Sequence, residues 1–110
     1  MVVVDMADNM KMRAQRKGDV TEVKVLMSHP METGRKKDDL GQIIPAHFVQ
    51  LVSATLNGMM VLEAQWGTGI AKNPYLTFRV RGAKLGDIVT VTWQDNLGAT
   101  ATQSIAVTQG

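Results

Sequence analysis

The residues best equipped for chemistry crowd into one stretch, Ser28 to Phe48, which holds both histidines of the chain, His29 and His47. Met27, His29 and Met31 alternate there. On an extended backbone alternate side chains point the same way, and two thioethers with an imidazole suit Cu(I). Pro30 interrupts that geometry, and Met27 equally well completes the apolar face of a strand. A core methionine and a loop histidine are therefore the ordinary reading, and copper binding through Met27, His29 and Met31 is the alternative. His29 and His47 with Glu32, Asp38 or Asp39 offer a harder donor set, but no His-x-His or His-x-x-x-His pair brings two imidazoles onto one face. Ser28 or Ser53 could be combined with a histidine and an aspartate, yet no Gly-x-Ser-x-Gly elbow supports a nucleophile. The acidic residues fall in turns and on outer strand faces, which places no carboxylate pair for glycoside chemistry.

Composition removes further classes. The chain has 110 residues, a net charge of +2 and no cysteine. That length suits one domain with one core. Without cysteine there is no disulfide, thiolate ligand or thiol nucleophile. The only basic cluster, Arg35-Lys36-Lys37, is followed at once by Asp38-Asp39. No basic run is interleaved with aromatics, so nucleic acid is not an expected partner. No apolar run approaches the ~20 residues of a membrane helix, and Met1 to Asp5 is too short for a signal-peptide core.

The elements that must position these residues are strands. Met10, Met12 and Ala14 alternate with polar residues, as do Val23, Val25 and Met27 after a Gly18-Asp19 turn. Phe48 to Leu56 is β-rich and apolar on both faces, which implies some burial on each. Asn57-Gly58 marks a type I′ hairpin. Met60, Leu62, Ala64 and Trp66 then share one face. Gly67 to Asn73-Pro74 reads as a loop, followed by strands around Leu76 to Val80 and Val89 to Trp93. Asp95-Asn96-Leu97-Gly98 reads as a tight turn, and Ala99 to Val107 as the last strand. The expectation is an all-β, immunoglobulin-like antiparallel β-sandwich of about seven strands. Residues 1–9 are read as a flexible N-terminal segment and 10–110 as a single domain. The connection from Ser28 to Phe48 far exceeds the ~2–5 residues of an ordinary hairpin loop, which marks it as functional. Trp66 and Trp93 suit core or interface anchors.

The run His29-x-Met-Glu-Thr-Gly-x-x-Lys37-Asp-x-x-Gly41-x-x-Ile-Pro-Ala-His-Phe48 resembles the hallmark of the SoxZ family. Asn57-Gly58, Lys72-Asn-Pro-Tyr75, Gly86-Asp87 and Trp93-x-Asp-Asn-x-Gly98 extend the resemblance in order along the chain. It implies an immunoglobulin-like, non-catalytic subunit that forms a heterodimer with SoxY in thiosulfate oxidation. SoxY carries the sulfur intermediates on a cysteine of a mobile C-terminal arm, and the other Sox enzymes visit it transiently. Periplasmic location would follow from export with SoxY. A chain without cysteine cannot bear the adduct, which agrees. From loop position and motif match, the expected partner contacts are His29, Met31, Glu32, Arg35, Lys37, His47 and Phe48. Trp66, Asn73 and Tyr75 form a second candidate patch. An exposed apolar partner patch would promote self-association of the lone chain. No cofactor or membrane is implied.

Overall fold

The computed structural model describes residues 10–110; the expected flexible segment, 1–9, lies outside them. The strands are β1 (Met10–Lys17), β2 (Val20–Met27), β3 (Val49–Leu56), β4 (Met59–Gln65), β5 (Tyr75–Arg81), β6 (Ile88–Asp95), β7 (Thr100–Ala106) and β8 (Thr108–Gln109). They form two four-stranded sheets, β5-β2-β1-β8 and β4-β3-β6-β7. The all-β sandwich is as expected. The short β8 is an addition, and it runs parallel to β1. It exists because buried Val107 exchanges backbone bonds with Gly86 and Asp87, which turns the chain from one sheet to the other.

Period-two alternation builds the core. Val23, Val25 and Met27 from β2 face Val52 and Ala54 of β3 and Val89, Val91 and Trp93 of β6 in one cluster. Asn57 (φ 50°) and Gly58 (φ 85°) both sit in the left-handed region, which a type I′ turn demands. The β3–β4 register shifts between Ala54 and Thr55. That irregularity removes Met60 from the inward row expected for it, leaving it opposite Thr55 and 57% exposed.

A second irregularity lies in the β3–β6 pairing. Val49 pairs with Asp95 and Leu51 with Gln94, so Gln50 is an extra residue in β3. The bulge lets both Val49 and Val52 point inward despite their odd spacing. It lies where the long connection enters the sheet.

Candidate functional site: an anchored arm

The 28–48 connection is an ordered arm. Glu32 and His47 exchange two backbone hydrogen bonds, of 2.6 and 2.9 Å. Further out, Ile44 N–H donates to Lys36 and Asp38 N–H to Gln42, each at 2.8 Å. At the tip the Asp38 carboxylate accepts from Leu40 and Gln42 N–H, both at 2.9 Å. Gly34 has φ +84°, and a Cβ there would meet the Ala46 Cβ at 3.2 Å, so the two sides of the arm touch at that point. Beyond it, Arg35, Lys36 and Lys37 are exposed. So are two apolar side chains, Leu40 at 83% and Ile43 at 62%.

The arm's base is fixed by a buried polar knot. Asp95 ends β6 on the same inward row as Val91 and Trp93, and it is 2% exposed. Its Oδ2 accepts from His29 Nε2 at 3.1 Å and from His47 Nε2 at 2.7 Å. Its Oδ1 accepts from Leu97 N–H at 3.0 Å and Ala99 N–H at 2.9 Å. Burial alone would push the carboxyl's pKa up; the bonds from His29, His47, Ala99 and Leu97 outweigh it and hold the pKa below the ordinary value. Asp95 is therefore an anion satisfied on both oxygens.

Neighbouring residues complete the anchor. Asn73 Oδ1 accepts from His29 N–H at 3.1 Å, and Asn73 N–H donates to the His29 carbonyl at 2.9 Å. Asn96 does the same for the arm's return. Its Oδ1 accepts from Phe48 N–H, its Nδ2 donates to the Ala46 carbonyl, and its own N–H donates to the Phe48 carbonyl. Met31 sits at φ 49°, an uncommon conformation for such a residue. It is held there by burial, by its N–H donating to His29 Nδ1 at 3.1 Å, and by Val49 N–H approaching its sulfur at 3.3 Å. Trp93 packs edge-on against the His29 ring at a centroid distance of 5.2 Å.

His29, His47 and Asp95 are the one group of three potential metal ligands among the described residues, with ligand atoms within 4.8 Å of one another. The hydrogen bonds argue against a metal there. His29 Nδ1 accepts the Met31 N–H, so the ring's proton resides on Nε2, which donates to Asp95. A metal on Nε2 would move that proton to Nδ1 and set it against the Met31 N–H. The copper alternative meets further obstacles. Met27 is sealed in the core, the Met31 sulfur receives an N–H, and the left-handed turn at Met31 breaks the alternation that the idea required. A serine triad through His29 is equally unsupported, since neither ring nitrogen is left for a hydroxyl.

The expected contact residues thus divide. Arg35 and Lys37 project from the arm. His29 at 3% and Met31 at 4% exposure are buried and hold the base of the arm, and Phe48, partly buried, packs on the core. His47 and Glu32 form the base rung, with the His47 side chain 33% exposed. Asn73 is the clamp on His29. Trp66 packs against the core beside β3, whereas Tyr75, at 60% exposure, lies on the outer face of the other sheet. The three therefore do not make one patch. The sequence offers Glu32, Asp38 and Asp39 as acidic companions of the histidines, whereas the structure gives both imidazoles to Asp95; Asn96 on the arm's return and the exposed Leu40 and Ile43 carry no separate signal in the sequence.

A family model described as Sulphur oxidation protein SoxZ matches residues 10–106. No curated protein matches the chain. Among solved structures, a variant of superoxide reductase (neelaredoxin) from Archaeoglobus fulgidus in the reduced form aligns with a TM-score of 0.68 at 16% identity, covering 100% of this chain and 98% of that one. A superoxide reductase in the oxidised state gives 0.62 at 14% identity, covering 88% and 85%. Those likenesses concern the fold. The chain belongs to the SoxZ family and to sulfur oxidation with it.

Proposed function

We propose that this SoxZ-family chain is the non-catalytic subunit of a heterodimeric sulfur carrier, with its arm as the docking element for a cysteine-bearing SoxY. The carrying observation is the arm itself: a rigidly anchored projection that shows Leu40 and Ile43 to solvent beside a basic triad. Exposed apolar side chains on a fixed support are what a partner interface uses, because little order must be imposed on binding. Absence of cysteine agrees with a scaffold whose partner supplies the thiol. The histidines support the same reading: both ring nitrogens of His29 are committed to structure. Work in the periplasm, alongside exported SoxY, belongs to this proposal.

Affinity capture of the chain from thiosulfate-grown cells, followed by intact-mass analysis, tests it. A one-to-one partner bearing a C-terminal cysteine with a sulfur-containing mass addition is the expected result. Recovery of the bare chain would remove the proposal.

A further inference from the structure

The two outer sheet faces differ sharply in charge. On the β5-β2-β1 face the cross-strand register lines up Tyr75, Leu26 and Lys11, and then Thr77, Lys24 and Arg13. Glu22 with Arg79 and Gln15 follows, and Val20 with Arg81 and Lys17 ends the face. Six cations therefore meet one acid there. The outer face of the other sheet carries Thr90, Thr92, Thr102 and Ser104, hydrogen-bonded across β6 and β7, and is almost uncharged.

The cations are not mutually neutralised. Arg13 and Lys24 stand directly opposite one another, a like-charge pair that costs stability. Glu22 is shared between Lys24 at 3.5 Å and Arg79 at 3.9 Å. Arg81 reaches Asp19 at 3.9 Å, while Lys11 and Arg13 have no acid within ion-pair distance among the described residues. At one end the cations surround apolar surface. Lys11, Met12, Arg13, Lys24, Leu26 and Tyr75 line an open depression of about 280 Å³. Leu26 is 43% and Tyr75 60% exposed within it.

We propose that this face is a transient docking surface for an acidic protein, with Tyr75 and Leu26 as its apolar centre and Lys11, Arg13 and Lys24 around them. The occupant is an acidic patch on an enzyme that acts on the partner-borne sulfur, so the identity of the occupant rests on the carrier reading above. A small anion would use only the depression, whereas the cations continue along β1 for roughly 20 Å at ~3.3 Å per residue. Nucleic acid would call for several stacking aromatics, and Tyr75 stands alone on this face. Cations around a small apolar centre, with Lys11 and Arg13 free of an acid partner among the described residues, accelerate encounter more than they tighten binding, and the limited area suits a short-lived complex.

Two measurements test the surface. In the first, the purified heterodimer carrying K11E, R13E and R79E is offered to the thiosulfate-oxidising enzymes of the source organism at about 20 and about 300 mM salt. The KM for the heterodimer should rise roughly tenfold or more at low salt, converge with wild type at high salt, and leave kcat unchanged. A KM within twofold of wild type at low salt overturns the proposal. In the second, the full chain is titrated with a short polyglutamate peptide ending in phenylalanine and followed by amide NMR shifts. Shifts should map to Lys11, Arg13, Lys24, Leu26 and Tyr75; shifts centred on Arg35 to Lys37, or none, overturn it. The titration needs no partner, so the surface is decided even where no heterodimer forms, an outcome that would remove the carrier reading instead.

Discussion

Asp95 is the residue on which the site turns. It accepts bonds from both histidines and two backbone N–H groups. Removing its charge leaves two imidazole donors facing an amide in a buried position. Asp95→Asn should cost about 3 kcal/mol, in line with breaking a buried charge-assisted network, read from urea unfolding. The same carboxylate predicts an acid limb. Its folded pKa lies below the ordinary value, so its contribution to stability is complete above the unfolded carboxylate pKa of about 3.9 and disappears as pH falls through the depressed folded value. The urea midpoint of wild type should fall on acidification below about pH 4, and that of Asp95→Asn should fall less; parallel curves would remove the assignment. Because His29 Nε2 is committed as a donor, adding Zn²⁺ or Cu⁺ should leave the thermal midpoint unchanged, whereas a metal-dependent rise would contradict the tautomer.

Asp95 was partly legible in the sequence. Val89, Val91 and Trp93 alternate inward, and continuing the period by two lands on Asp95. A carboxylate at the end of an apolar row needs buried donors, and the two histidines of the chain are among those available. The turn signal of Asp95-Asn96-Leu97-Gly98 hid this, because Asp is equally ordinary at the start of a turn. The residue does both tasks, with one oxygen for each.

At the scale of elements, the arm's length and turn-richness marked it as unusual, and its two rungs explain how so long a connection stays ordered. The bulge at Gln50 could not be read from alternation, since an extra residue shifts the period without changing composition. The departure of Met60 from the inward row has the same cause. Gly34 sets the arm's pinch point. Gly34→Ala combines positive φ with a 3.2 Å approach to Ala46, and should cost about 1–2 kcal/mol while loosening amide-exchange protection from 32 to 47. Unchanged protection would show that the arm's order does not depend on this contact.

At the scale of the molecule, the sandwich was legible because each strand carries its own period-two signal and turns recur between them. What alternation cannot give is which strands neighbour one another. The β5-β2-β1 arrangement that gathers cations onto one face arises from pairing across Glu22, Lys24 and Leu26, residues whose strand partners lie up to dozens of positions away. The two proposals place separate tasks on separate surfaces: a projecting arm with apolar tips, and a cationic face for brief encounters.

The most direct test of the carrier account is the affinity of this chain for its purified SoxY partner, measured by calorimetry with Leu40→Ser/Ile43→Ser beside wild type. Both residues are exposed, so the variant should fold with stability within about 0.5 kcal/mol of wild type. The account predicts one-to-one binding by wild type and at least a tenfold loss in the variant. Equal affinities would contradict the arm as the docking element, and no binding by wild type would contradict the carrier subunit itself.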